Sequence, residues 1–93
     1  MVEQRVVITN RLGLHARAAA QLVRTANCFQ SILRLERIDG SAAADAKSIL
    51  SVLMLAAARG TELRATAEGA DEKEAMAAVC GLFTSGFGES DLS

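Results

Sequence analysis

Apolar and polar positions alternate with different periods along this chain, and the changes of period mark out its strands and helices. Arg5 to Thr9 is β-branched and reads as a strand. Ala16 to Asn27 brings Ala16, Ala19, Val23 and Ala26 together at three- and four-residue spacing, which predicts an amphipathic helix. Arg17, Gln21 and Arg24 line up on its solvent face. Ile32 to Ile38 alternates around Leu33 and Leu35 as a second strand, and Asp39-Gly40 turns the chain into a short third strand near Ala42 to Ala44. Asp45 caps a short helix from about Lys47 to Leu55, which Arg59-Gly60 ends. Glu62 to Glu68 sets Leu63, Ala65 and Ala67 against Arg64, Thr66 and Glu68, a half-buried strand. Asp71 to Thr84 is a helix with Ala75, Val79 and Phe83 inward, and Asp71 and Glu72 complement the dipole of its first turn. Ser85-Gly86-Phe87-Gly88 ends it, and the tail from about residue 88 is expected to fray.

The order βαββαβα predicts an α+β open-faced sandwich, its helices covering one face of a sheet. No linker or repeat divides the 93 residues, so residues 1–93 read as one domain, just large enough for a single core. With three Phe and no Trp or Tyr, that core must rest mainly on Ala, Val, Ile and Leu.

Charge and aromatics then remove whole classes of function. A net charge of −1 gives no general pull toward nucleic acid or an anionic membrane. The same element order describes an RNA-binding fold that stacks bases on strand aromatics, but Phe29, Phe83 and Phe87 all lie outside the predicted strands. Met1 to Arg5 lacks the apolar stretch of a signal peptide, and the run Ile49 to Ala58 is far short of the about 20 residues that span a bilayer. A cytoplasmic location without membrane insertion is expected. Cys28 and Cys80 lack a metal-binding spacing, so neither metal nor cofactor is expected; both are assigned to helices as buried, reduced thiols.

The chemistry concentrates in Asn10-Arg11-Leu12-Gly13-Leu14-His15-Ala16-Arg17-Ala18-Ala19-Ala20, which holds the single histidine. His15 falls between a strand and a helix start, where unpaired N–H groups and the positive end of the dipole favour an anion. Neutral imidazole is a nucleophile near neutral pH. Arg17 stands in the first turn, where a cation does not help the helix, but its guanidinium can pair with phosphoryl oxygens. The three together point to a transferable phosphoryl group. Arg24 extends the basic face toward acidic partners, and Ser48 sits in the first turn of a helix, where serine is common. Ile49 to Leu55 is too apolar for one buried face of a short helix. Some of Ile49, Leu50, Val52 and Leu53 must therefore stay exposed, as at a partner surface.

Gly13-Leu14-His15-Ala16-Arg17 resembles the active-site loop of the HPr family, the histidine phosphocarriers of the bacterial phosphotransferase system. The likeness continues through Asp45-Ala46-Lys47-Ser48-Ile49-Leu50 and Gly69-Ala70-Asp71-Glu72, and spans Val2 to Phe87. It implies a four-stranded antiparallel sheet with three helices on one face. It implies that phosphorylated enzyme I places a phosphoryl group on Nδ1 of His15, making pros-phosphohistidine, with Arg17 stabilising it, and that enzyme IIA domains receive it. Ser48 corresponds to the family's regulatory phosphorylation site, served by HPr kinase/phosphorylase. Lys47, Ile49, Leu50 and Leu53, with Arg24, correspond to the partner surface. Such a protein is a monomeric phosphocarrier intermediate rather than a stand-alone catalyst. The alternative within the family is a purely regulatory member, tied to nitrogen or carbon control and not coupled to sugar uptake. Two departures stand out: Ala18 occupies the position of the family's proline, and the connection Ile38 to Ala42 is longer than usual.

Overall fold

Alternation along the strands decides which face of the sheet is covered. In the computed structural model, which describes residues 1–89, the order is β1 (Val2–Val7), α1 (Ala16–Ala26), β2 (Ile32–Arg37), β3 (Ala43–Asp45), α2 (Ile49–Leu53), β4 (Glu62–Glu68) and α3 (Glu72–Thr84), followed by a 3-10 turn at Gly86–Gly88. The strands form one four-stranded sheet in the order β1-β4-β2-β3, and every pairing is antiparallel. The register sets Val6 opposite Leu63, and Leu35 opposite both Ala65 and Ala44. These side chains point into the helix layer and are buried. The opposite face is polar: Arg64 reaches Glu3 at 3.5 Å and Glu36 at 3.1 Å, and Arg5 reaches Glu62 at 3.6 Å. Partly exposed pairs of this kind add little stability, yet they favour the observed register. The expected α+β open-faced sandwich is the fold.

The helices differ from the sequence reading in detail. In α1 the buried residues are Ala18, Ala19, Leu22 and Ala26, whereas Ala16 is exposed and Val23 only half-buried. The stripe is turned so that Leu22 enters the core, since burying its larger apolar surface outweighs burying Ala16. Ala18 is fully buried, and the first backbone bond of α1 runs from the Ala19 N–H to the His15 carbonyl at 2.8 Å. The Ala18 N–H therefore belongs to the donors that a helix start leaves without an intrahelical partner. A proline there would remove it.

The second helix is shorter than expected, and its cap is Ser48 rather than Asp45. The Ser48 hydroxyl accepts from the Ser51 N–H at 3.3 Å, while Asp45 ends β3 and its carboxylate accepts from the Lys47 N–H at 2.9 Å. The helix stops at Leu53, well before Arg59-Gly60. The Arg37 guanidinium from β2 donates to the Leu55 carbonyl at 3.1 Å and to that of Ala56 at 3.5 Å, which satisfies carbonyls that a further turn would have used. Ala56 takes a left-handed backbone at φ 49 as the chain turns away.

Asp71 does more than complement a dipole. Its carboxylate accepts from the Gln30 and Ser31 N–H groups at 2.9 Å each and from the Ser31 hydroxyl, tying the start of α3 to the start of β2. The Ser31 hydroxyl, first among these donors, holds the carboxyl below its ordinary value of 3.8. Glu72 accepts from the Gly69 N–H at 3.2 Å, and with Glu74 it supplies the acidic residues of the first turn.

The expected burial of both thiols fails. Cys28 is exposed in the turn after α1, because the helix closes at Ala26 and the Asn27 side chain donates back to the Val23 carbonyl at 2.9 Å. Cys80 is half-buried, and burial pushes its thiol up. Fraying is expected from about residue 88, and the described backbone runs through Glu89. Phe87 is buried and meets Phe83 edge-on, with ring centres 5.1 Å apart, and the Glu89 N–H donates to the Gly86 carbonyl at 3.1 Å. The rest of that expectation lies outside the described residues. Among the described residues no helix is long and apolar enough to cross a membrane, and no group of His, Cys, Asp or Glu could hold a metal ion.

Candidate functional site

Three bonds shape the stretch that leads into His15. The Gly13 N–H closes a turn onto the Asn10 carbonyl at 3.1 Å, the Asn10 amide donates to the Gly13 carbonyl at 2.7 Å, and the Leu14 N–H donates to the Ala57 carbonyl at 2.9 Å. Gly13 has φ +66, and an added Cβ would lie 2.6 Å from the Ala57 carbonyl oxygen. Only glycine lets the two backbones come this close in that conformation. Leu14 buries its side chain below, which leaves His15 at the rim as the N-cap of α1.

Both ring nitrogens of His15 are engaged, by partners of opposite kind. Nδ1 accepts from the Arg17 N–H at 3.2 Å. Nε2 lies 2.6 Å from a Glu89 carboxylate oxygen. A backbone N–H can only donate and an ionised carboxylate can only accept, so these partners place the neutral ring's proton on Nε2 and its lone pair on Nδ1. The Glu89 carboxyl is held below its ordinary 4.5, first by the hydrogen bond from His15, with smaller contributions from Asn10 and the Arg17 charge. Asn10, buried, donates to the same Glu89 oxygen at 3.1 Å, and its own side-chain oxygen has no partner. With two acceptors facing it, the amide cannot be reversed without bringing oxygen against oxygen.

This arrangement offers a nucleophile aimed at a helix N-terminus. An anion on Nδ1 would meet the unpaired donors of the first turn, and that turn contains no acidic residue to repel it. Arg17 is exposed on the same turn. Nothing in local sequence pattern singles out Asn10 or Glu89 for this site. The His15–Glu89 contact joins residues 74 apart, and Glu89 fell in the stretch read as a fraying tail.

The remaining predicted residues lie along α1 and α2. Arg24 is exposed in the last turn of α1. The Asn27 amide donates to the Lys47 carbonyl at 3.3 Å, which joins the end of α1 to the start of α2. The Lys47 ammonium is itself occupied, donating to the Phe29 carbonyl at 2.7 Å. Ser48 is half-buried as the cap of α2. Val52 is fully buried, whereas Ile49, Leu50 and Leu53 are exposed by 44%, 67% and 37%. Leu12, which periodicity did not flag, and Met54 are also exposed, by 65% and 72%.

Comparison with known proteins shows the family. The family model for the PTS HPr component phosphorylation site matches residues 2–85. The chain is 45% identical to the phosphocarrier protein HPr of Xylella fastidiosa over 89 residues, which is 96% of this chain and 98% of that relative. It is 43% identical to the phosphocarrier protein NPr of Escherichia coli over 88 residues, 95% of this chain and 97% of the relative. Among solved structures it is similar to HPr-C-His of Thermoanaerobacter tengcongensis, with a TM-score of 0.90 and 40% identity over 97% of this chain and 99% of the other. With the fold, the loop and the match agreeing over nearly its whole length, the chain belongs to the HPr family of phosphotransferase-system phosphocarriers.

Proposed function

We propose that this protein carries a phosphoryl group on Nδ1 of His15, receiving it from phosphorylated enzyme I and passing it to an enzyme IIA domain. The observation that carries this reading is the lone pair of Nδ1, turned toward the first-turn N–H of Arg17 and away from the Nε2 partner. The Arg17 guanidinium neutralises the added charge as the phosphoryl group arrives. Arg24 and the exposed side chains of Ile49, Leu50 and Leu53 meet the partner proteins, with Lys47 at the rim. One chain is the working unit in this reading, since β1 pairs in register with its own β4.

A second reading has specific support. Relatives named NPr match the chain as closely as those named HPr: the NPr of Proteus mirabilis is 45% identical over 92% of this chain. Equal similarity to both supports, as a second reading, a regulatory phosphocarrier not coupled to sugar uptake. Incubation with phosphoenolpyruvate and enzyme I is expected to give one acid-labile phosphate per chain. Chasing the phosphoprotein with enzyme IIA domains from sugar permeases and from nitrogen-regulatory systems separates the two readings by which class removes the label faster. No acid-labile phosphate on incubation with enzyme I would refute both.

Ser48 is proposed as the regulatory phosphorylation site. As an N-cap it tolerates negative charge, because aspartate caps about as well as serine. A Ser48→Asp variant is expected to melt close to the parent protein, within about 0.5 kcal/mol. Its phosphoryl transfer from enzyme I should slow about tenfold, as one uncompensated charge in a docking face costs about 1.4 kcal/mol or more. Stopped-flow transfer measured beside thermal melts checks both halves; equal transfer rates would remove Ser48 from the docking face.

A further inference from the structure

The turn after α3 returns the chain to a site that its sequence position does not announce. Phe87 is buried against Phe83, and the left-handed backbone at Gly86, Phe87 and Gly88 swings Glu89 back over the start of α1. There one carboxylate oxygen receives two donors, His15 Nε2 at 2.6 Å and the Asn10 amide at 3.1 Å. The contact lies on the nitrogen opposite the one that faces the helix. A carboxylate in this place affects the ring both before and after phosphorylation.

We infer that Glu89 is a positioning residue of the phosphocarrier site, holding the proton on His15 Nε2 so that Nδ1 takes the phosphoryl group and the phosphorylated ring stays protonated. This rests on reading His15 as the acceptor. In the forward step the Nδ1 lone pair forms the N–P bond while the donor's bond to phosphorus breaks, and the donor keeps that electron pair. The ring now carries a positive charge, with its Nε2 proton still shared with Glu89. In the onward step the acceptor's lone pair bonds phosphorus, the N–P electrons return to the ring, and histidine is left neutral with the same proton. The proton never leaves. A protonated ring is the better leaving group, so a carboxylate that favours it makes the phosphoryl group more labile. The groups facing this pair are the neutral Asn10 from the loop and the cationic Arg17 from α1; both interact with Glu89, and Arg17 opposes a second positive charge.

Two measurements test the inference. In the unphosphorylated protein labelled with nitrogen-15, above the titration of the ring, the Nε2–H tautomer is expected to dominate, and Glu89→Ala should raise the Nδ1–H share at least threefold. In the phosphorylated proteins, decay of phosphohistidine is followed across pH. Glu89→Ala and Glu89→Gln are both expected to lengthen the lifetime near neutral pH about threefold or more and to move the profile to lower pH. The glutamine retains the size and acceptor oxygen of the side chain, so a tail clasp without electrostatic effect would leave Glu89→Gln like the parent. Coincident decay profiles for all three proteins, or an unchanged tautomer ratio in Glu89→Ala, would overturn the inference. Absence of phosphorylation in the parent would instead refute the acceptor role of His15, and the tautomer measurement would still decide the place of Glu89.

Discussion

Replacing His15 with alanine is expected to abolish acid-labile phosphorylation by enzyme I entirely. It is the single histidine of the chain, so no second imidazole can take over. The fold should survive the change. The turn at Gly13, the Leu14–Ala57 bond and the buried Leu14 side chain are all independent of the ring. What is lost is a capping acceptor for the Arg17 N–H and the link to Glu89. Loss of an N-cap costs about 0.5–2 kcal/mol, a fraction of the 5–15 kcal/mol typical of a domain. Circular dichroism should therefore show a folded protein that melts somewhat earlier, while radiolabel from phosphoenolpyruvate stays at background. Acid-labile label persisting on the alanine variant would mean that another residue is the acceptor.

The largest loss of stability is expected from Gly13→Ala. An alanine there would keep φ near +66, at a cost of about 1–2 kcal/mol. Its Cβ would also stand 2.6 Å from the Ala57 carbonyl oxygen and 2.9 Å from the Ala58 Cα, both backbone atoms that cannot swing aside. Overpacking of this kind adds about 1–3 kcal/mol. The sum of about 2–5 kcal/mol corresponds to a fall in Tm of about 10 °C or more for a domain of this size. Gly40 is the internal control. It has φ +78 with nothing within 4 Å of an added Cβ, so Gly40→Ala should show the backbone strain alone. Equal melting of the two variants would show that the contact with the Ala57 backbone contributes nothing.

The strands and the long helices were legible because their signals are local. Leu63, Ala65 and Ala67 alternate within β4, and Ala75, Val79 and Phe83 repeat within α3; those residues do face the core. Two of the errors share one cause, which is competition from partners distant in sequence. Arg37 takes the carbonyls beyond Leu53, and Asp71 is claimed by the backbone of Gln30 and Ser31. The same holds at the site. His15 and Arg17 could be read from their place at a helix start, but no period or motif links Asn10 or Glu89 to them. Ser48 was legible as a residue of a helix start, though its role as the cap depends on where β3 ends.

Alanine fills much of the space between sheet and helices, at positions 18, 19, 26, 44, 46, 65, 67 and 75, all buried. Side chains with no rotamers to lose make such an interior inexpensive to order, but each also contributes little apolar surface. Sequence drift in this protein is thereby channelled. A buried alanine has nowhere smaller to go but glycine, which loosens the backbone, and any larger residue must force two layers apart. Variation meets less resistance on the charged outer face of the sheet, where Glu3, Arg34, Glu36 and Arg64 lie outside the core. The interior changes only by compensated pairs, one residue growing as its neighbour across the layers shrinks.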